Sequence, residues 1–127
     1  MASPSPLKRI VVAEDDPAIA ALIFKVLSQF YEVVVTHTGL DALEAARRTP
    51  APDLLLLDVM MPGMDGHAVA AAARQLPGLK ALPIIFLTAK TGPAEIIKGI
   101  QSGARHYITK PFKIEDLVAR VKKTLGG

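Results

Sequence analysis

The sequence contains no cysteine. Neither a disulfide framework nor a thiolate metal site can therefore form. The N-terminal segment MASPSPLKR has no apolar stretch of the signal-peptide kind, and no run approaches the roughly 18 apolar residues expected of a membrane span. The absence of a signal peptide and of a membrane span predicts a cytoplasmic protein that does not associate with a membrane.

Positively charged residues are only slightly in excess over negatively charged ones. The formal net charge is +3, and lysines and arginines are spread along the chain apart from one cluster, RVKK, near its end. Charge alone therefore gives no ground for a nucleic-acid-binding role, and we expect no direct contact with nucleic acid.

The length and composition favour a single domain with a real core. The chain has 127 residues, and half of them are hydrophobic, which disfavours disorder. We expect residues 1–7 to form a short disordered tail and residues 8–127 to form the domain.

One pattern repeats five times along the chain, an apolar run rich in β-forming residues followed by a helical pattern. Helical patterns begin after Pro17, extend over about 39–48, 66–76 and 93–102, and resume from Ile114 to Leu125. Asp16 before Pro17 is typical of a helix N-cap. The predicted strands are RIVVA, YEVVVT, DLLLLD, PIIFLTA and HYITK.

Alternation of strands and helices predicts an α/β fold. Strands that are joined by helices lie parallel, and right-handed crossovers place helices on both faces of the sheet. The four consecutive leucines of DLLLLD indicate a strand that is buried on both faces. We expect a doubly wound domain of five parallel strands, in the order 2-1-3-4-5, with five helices.

Polar residues follow the predicted strands where such folds bind ligands, at the carboxyl ends. Strand one is followed by Glu14 and Asp15, and strand three ends at Asp58. In the order 2-1-3-4-5 these strands are neighbours, so the three carboxylates converge and repel one another unless a cation joins them. Hard oxygen ligands with room for water predict a Mg²⁺ site.

Four segments, VVAEDDP, LLLLDVMMPGMDG, FLTAK and YITKPF, together resemble the receiver domains of two-component response regulators. The resemblance implies that Asp58 accepts a phosphoryl group from a histidine kinase or phosphotransfer protein. It also implies that Asp15, Asp58 and the backbone carbonyl of Met60 hold Mg²⁺, while Glu14 acts through a bound water.

The resemblance implies further roles around Asp58. Lys110 and the Thr88 hydroxyl would neutralise the phosphoryl oxygens, which is most of what phosphoryl transfer needs. The family usually has a cis bond before Pro111. Thr88 and Tyr107 would form a switch pair that changes the face made by helix four, strand five and helix five, and so control a downstream protein.

Several of these residues also have simpler interpretations. Asp15 and Asp16 could only cap the first helix, and Asp58 could be a turn residue before Pro62. A flavin or dinucleotide binder would have a Gly-rich or hydroxyl-rich loop in place of AEDDP. A hydrolase of the haloacid dehalogenase type would have an aspartate at Met60, so we do not expect an enzyme in its own right. His37, His67 and His106 show no metal-ligand spacing and are interpreted as surface or partly buried residues.

The context of the domain has two interpretations. EDLVARVKKTL resembles the last helix of receivers that precede a winged-helix DNA-binding domain, yet nothing follows LGG. The chain is therefore either a stand-alone signalling protein or the receiver of a larger DNA-binding regulator or hybrid kinase.

Two expectations concern the phosphorylated state. Relatives that hydrolyse their acyl phosphate quickly carry an amide or acid two residues past the aspartate or the threonine, where it orients the attacking water. Met60 and Lys90 occupy these positions and orient water poorly, so we expect the acyl phosphate to last minutes or more. Arg105 and His106 occupy positions where dimerising relatives carry acids. We therefore expect the domain to stay monomeric, or to dimerise differently, and to use the basic face around Arg105, Lys98, Arg120 and Lys122 to bind an acidic partner.

Overall fold

The computed structural model describes residues 7–48, 50–89, 93–101 and 103–126. Most of the predicted tail, residues 1–6, lies outside the described residues, and so does Lys90. Leu7 is the first residue described, and its side chain is exposed. No helix in the described part of the chain is both long and apolar enough to cross a membrane.

The predicted parallel sheet is confirmed. Its order is β2-β1-β3-β4-β5, and every neighbouring pair is parallel. Each strand begins and ends within one residue of its predicted bounds, because apolar runs bounded by polar or turn residues define buried strands well. The strands are β1 (Arg9–Ala13), β2 (Glu32–Thr36), β3 (Leu54–Asp58), β4 (Ile84–Thr88) and β5 (His106–Thr109).

Helices follow the strands in alternation. Asp16 caps the first of them, since its Oδ1 accepts hydrogen bonds from the N–H groups of Ala18 and Ile19 at 2.9 and 3.2 Å. The third helix was predicted to reach residue 76 but ends at Arg74, because Leu76 precedes Pro77 and the residue before a proline disfavours the helical conformation. The helices are α1 (Pro17–Leu27), α2 (Gly39–Arg47), α3 (Gly66–Arg74), α4 (Pro93–Gln101) and α5 (Ile114–Leu125).

Two hydrophobic layers cover the faces of the sheet. Leu55 and Leu57 pack into the layer with α2 and α3, whereas Leu54 and Leu56 pack into the layer with α1 and α5. All four leucines are 0% exposed. This alternation explains why β3 has no polar residue before Asp58, since both of its faces are buried.

The buried stripe of α1 is narrower than its apolar sequence suggests. Ile23 and Leu27 are fully buried, but Leu22 and Phe24 are 46% and 47% exposed. The helix contacts the sheet along one line of residues, and side chains on either side of that line remain at the surface.

Candidate functional site

The carboxyl ends of β1 and β3 bring three acidic side chains together. Ala13 of β1 pairs with Leu57 of β3, so Glu14, Asp15 and Asp58 follow at the same edge of the sheet. One carboxylate oxygen from each of these three acids lies within 4.8 Å of the others. The predicted convergence is confirmed. Glu14 and Asp58 are 0% and 3% exposed, while Asp15 is exposed, so the cluster has a buried base and an open side.

Lys110 is the cation within this cluster. Its Nζ lies 3.2 Å from Oδ2 of Asp58 and forms an ion pair with Oε1 of Glu14. The N–H of Lys110 donates to the carbonyl of Thr88 at 2.7 Å, which fixes the end of β5 beside β4. The bond between Lys110 and Pro111 is cis, as predicted.

The protonation of the cluster follows from burial and from the proximity of the acids. Burial, reinforced by Glu14 and Asp15, raises the pKa of Asp58 from 3.8 to about 7, against the opposite effect of Lys110. Burial alone would raise the pKa of Asp15 too, but hydrogen bonds with Asp58 and Glu14 bring it below its ordinary value. Among the described residues, one lysine faces three carboxylates, and near neutral pH Asp58 is divided between its protonated and ionised forms.

Burial would lower the pKa of Lys110, but the hydrogen bond and charge of Glu14 and the charge of Asp58 raise it above its ordinary value. The ammonium therefore keeps its charge across the neutral range, next to the Asp58 carboxylate.

Glu14 is held in place from two sides, one of which the sequence did not indicate. Its Oε2 accepts the N–H of Asp16 at 3.1 Å. Its backbone carbonyl lies 3.0 Å from Nδ1 of His37, which directly follows β2. His37 is exposed, as interpreted, yet it also contacts the site. No spacing signal predicts such a contact, because it joins residues 23 positions apart.

The turn after β3 depends on a glycine that sequence reasoning did not single out. A Cβ atom on Gly66 would lie 2.5 Å from the carbonyl oxygen of Asp58 and 2.9 Å from Cα of Val59. The N–H of Met60 donates to Oδ1 of Asp58 at 3.1 Å. The close return of the chain past Asp58 thus orients the carboxylate. The available signal was the Asp65-Gly66 pair at the start of the helix.

Thr88 and Tyr107 lie next to each other beyond this cluster. Thr88 is fully buried at the end of β4, and Tyr107 pairs with Phe86 across β4 and β5. Burial and the charge of Glu95 raise the pKa of Tyr107, while a hydrogen bond with Thr88 acts in the opposite direction. The two side chains predicted to form a switch pair are therefore in contact.

The predicted basic face is only partly assembled. Burial and the positive charges of Arg120, Lys123 and Arg105 lower the pKa of His106, so these charges lie near enough to act on it. Lys122 lies elsewhere, with Nζ 4.1 Å from the ring centroid of Phe30 beside α1. Lys98 lines a groove of about 350 Å³ between α4 and the turn after β3. Lys123, which the sequence did not single out, takes the position expected of Lys122.

Residues 10–122 match the family described as the response regulator receiver domain. The DNA-binding response regulator MtrA of Mycolicibacterium smegmatis is 43% identical over 119 residues, which are 93% of this chain and 50% of that protein. The phosphate regulon transcriptional regulatory protein PhoB of Rhizobium meliloti is 38% identical over 120 residues, covering 94% of this chain and 52% of that protein. The chain spans about half the length of these relatives.

Solved structures of a chemotaxis protein and of a receiver domain are similar to this chain. The chemotaxis protein CheY4 of Vibrio cholerae superposes with a TM-score of 0.87 at 29% identity, covering 94% of this chain and 99% of that one. The BeF3-activated receiver domain of DrrB superposes with a TM-score of 0.85 at 31% identity, covering 95% and 99%. Because the family match spans nearly the whole described chain, the protein belongs to the response regulator receiver domain family of two-component systems.

Proposed function

We propose that the domain is a phosphorylation-activated switch in the cytoplasm, in which Asp58 accepts a phosphoryl group from the phosphohistidine of a histidine kinase or phosphotransfer protein. The observation that carries the proposal is the convergence of Glu14, Asp15 and Asp58 around one lysine at the carboxyl edge of the sheet. Phosphoaspartate and magnesium are general features of this family, which consists of signalling phosphoacceptor domains rather than classical enzymes.

Transfer of the phosphoryl group from phosphohistidine to Asp58 requires few protein groups. An Asp58 oxygen forms a bond to phosphorus, the phosphorus–nitrogen bond of the phosphohistidine breaks, and the imidazole nitrogen keeps the electron pair and takes a proton. Asp58 must be ionised to attack, so the proton that burial favours has to leave first. Lys110, already within 3.2 Å of Asp58, then faces the phosphoryl oxygens and balances their charge.

The donor set fits Mg²⁺. Asp15 and Asp58, with the backbone carbonyl of Met60, would hold the ion, and it would supply neutralisation of charge on the phosphoryl oxygens. Glu14 would act through a water, which agrees with the engagement of both its carboxylate oxygens by Lys110 and the N–H of Asp16. The exposure of Asp15 leaves a path by which ion and phosphodonor reach the site.

Thr88 and Tyr107 would transmit the effect of phosphorylation to the surface of the domain. The Thr88 hydroxyl turns toward the phosphoryl oxygen, and Tyr107, already in contact with Thr88, follows it. Movement of Tyr107 changes the face formed by α4, β5 and α5. Arg105, Arg120 and Lys123 make this face positive around His106, so its partner would be an acidic helix or domain, and the domain itself would remain monomeric.

A second candidate differs in context only. The matched relatives MtrA and PhoB are a DNA-binding response regulator and a transcriptional regulatory protein, and the chain covers about half of each. The same switch could therefore act on a DNA-binding domain within one longer polypeptide. The complete open reading frame distinguishes this candidate from a single-domain signalling protein.

Chemical trapping tests the acceptor directly. Incubation with acetyl phosphate and Mg²⁺, followed by borohydride reduction and peptide mass spectrometry, should place the modification on Asp58. Asp58→Asn should abolish it, and Asp116→Asn on the exposed side of α5 should leave it unchanged. Retained modification in Asp58→Asn at the wild-type level contradicts the assignment.

A further inference from the structure

His37 directly follows β2 and lies beside the acidic cluster without belonging to it. Its Nδ1 lies 3.0 Å from the backbone carbonyl oxygen of Glu14. A carbonyl oxygen can only accept a hydrogen bond, so Nδ1 is the donor and carries a proton. This hydrogen bond joins two loops at the carboxyl edge of the sheet, the loop after β2 and the loop after β1 that contains Glu14 and Asp15.

The carbonyl of Glu14 has no second donor among the described residues. The other contacts of Glu14 hold different atoms. Its N–H donates to the carbonyl of Thr36 at 3.0 Å, its Oε2 accepts the N–H of Asp16, and its Oε1 pairs with Lys110. The hydrogen bond from His37 is therefore the contact that fixes the plane of the peptide after Glu14.

Asp15 begins at that peptide. Its side chain is exposed, and the partners of its carboxylate are its own N–H and the two other acids, Asp58 and Glu14. Ionised carboxylates repel one another and do not hold each other in place. The direction of the Asp15 side chain is therefore set by the backbone that carries it, and the Glu14–Asp15 peptide is the part of that backbone that His37 contacts.

The turn that carries His37 is itself held on both sides. Before it, the Thr36 hydroxyl donates to the carbonyl of Val12 at 2.7 Å. After it, Gly39 packs closely on the loop that follows β3, where a Cβ atom on Gly39 would overlap the carbonyl oxygen of Met64 and lie 3.0 Å from Cβ of the same residue. A donor on so constrained a turn lies at a fixed point, so it can orient the peptide that it contacts.

We propose that His37 is a positioning residue of the Mg²⁺ site: by holding the Glu14 carbonyl, it orients the peptide from which Asp15 reaches the ion. The inference rests on the proposed function, since that function assigns Asp15 to the ion. Groups that orient metal ligands change the metal affinity although they do not touch the metal. Loss of the His37 donor leaves Asp15 with more orientations, and binding of the ion then has to restrict them.

Leucine and asparagine separate the hydrogen bond from the shape of the side chain, because both are branched at Cγ. His37→Asn can place an amide N–H where Nδ1 lies, whereas His37→Leu has no donor. Mg²⁺ is titrated into the unphosphorylated protein, and the amide resonances of the loops after β1 and β3 give the dissociation constant. His37→Leu should raise this constant about fivefold, the effect of losing one hydrogen bond, and His37→Asn should stay within about twofold of wild type.

Gln29→Leu is the matched control, because it also removes a side-chain donor to a backbone carbonyl, that of Lys25 at 3.4 Å. It should bind Mg²⁺ as the wild-type protein does. Urea unfolding in EDTA separates positioning from general stability, since a structural role alone would lower the free energy of unfolding of His37→Leu and leave its dissociation constant for Mg²⁺ unchanged. If His37→Leu does not fold, His37→Ala removes the donor without adding apolar surface and takes its place.

The proton on Nδ1 provides a second measurement. At about pH 8, well above the range in which histidine side chains ordinarily titrate, nitrogen NMR shows which ring nitrogen carries the single proton. His37 should be the Nδ1–H tautomer in the wild-type protein, and its resonances are assigned by their loss in His37→Asn.

The outcomes separate this inference from the proposed function. A folded His37→Leu protein with the wild-type dissociation constant overturns the role of His37, and so does His37→Asn behaving as His37→Leu does, or an Nε2–H tautomer of His37. These measurements use no phosphoryl donor, so they decide the inference even if Asp58 is not phosphorylated. A wild-type protein whose acidic cluster binds no Mg²⁺ overturns both the inference and the metal site of the proposed function.

Discussion

At the scale of single residues, the site is defined by an imbalance of charge. Lys110 faces both Glu14 and Asp58, and Asp15 adds a third carboxylate on the open side. The sequence predicted this cluster because all four residues lie at, or within two residues of, the ends of strands that meet at one edge. It did not predict the contacts of His37 or His67, since these depend on side-chain directions across elements that are distant in the chain.

The raised pKa of Asp58 predicts how stability depends on pH. The unfolded chain has a pKa near 3.8 and the folded protein a value of about 7, so the folded state binds this proton more tightly. The stabilisation is complete below the unfolded pKa and is lost as pH rises through the folded one. In EDTA, we expect the midpoint of thermal unfolding to fall by roughly 5 °C between about pH 5 and pH 8.

Circular dichroism during heating measures this dependence. Asp58→Asn should flatten it and stabilise the protein at neutral pH, because one of three mutually repelling carboxylates becomes neutral. Saturating Mg²⁺ should also flatten it in the wild-type protein, because the cation binds the ionised form. A wild-type midpoint that rises with pH in EDTA, in parallel with that of Asp58→Asn, would contradict the raised pKa.

At the scale of elements, the strands were more predictable than the helix faces. A strand of a parallel sheet is buried on both sides, so its apolar run and its ends are visible in the sequence, as in LLLLD of β3. A helix is buried along one stripe, whose position depends on its neighbours. Phe30 therefore remains exposed beside α1, and Lys122 lies against it, whereas Lys123 lies near His106.

The junction of β3 and α3 gives a prediction in which two effects have opposite signs. Because alanine has a higher helix propensity than glycine, Gly66→Ala on that ground alone should stabilise α3 by up to about 1 kcal/mol. The new Cβ would, however, meet backbone atoms of Asp58 and Val59 at 2.5 and 2.9 Å, which cannot move without displacing the acceptor. We expect the steric clash to outweigh the gain in helix propensity, so that the free energy of unfolding falls by about 1–3 kcal/mol.

Urea unfolding measures that loss, and the rate of phosphorylation from acetyl phosphate measures displacement of the acceptor. Both should fall in Gly66→Ala. A Gly66→Ala protein that is more stable than wild type and phosphorylated equally fast would show that the junction tolerates a side chain, and that the close return of the chain does not orient Asp58.

At the scale of the whole molecule, the positive charges beyond β5 lead to an expectation about assembly. Arg105, Arg120 and Lys123 lie near enough to act on His106, so two copies that met through this face would place like charges together. Such repulsion costs up to several kcal/mol at a partly desolvated interface. We therefore expect the beryllofluoride-activated domain to sediment as a monomer at micromolar concentration.

Charge reversal tests that expectation. Arg105→Asp combined with His106→Asp should promote a dimer in sedimentation velocity, because acids then face Arg120 and Lys123 of the second copy. Lys122→Asp is the matched control and should not, since Lys122 lies against Phe30 on the side of α1. A symmetric dimer of the activated wild-type domain through this face would be the contrary result.

The central claim is that one cluster provides both the metal site and the acceptor, and the rate of phosphorylation as a function of Mg²⁺ concentration tests it most directly. With acetyl phosphate as donor, the wild-type rate should be negligible in EDTA and should saturate with Mg²⁺. Asp15→Asn should need at least about tenfold more Mg²⁺ for half-saturation, in line with the loss of a carboxylate ligand, and Asp58→Asn should not react. A wild-type rate that does not depend on Mg²⁺, or an Asp15→Asn rate that saturates at the wild-type concentration, would contradict the account.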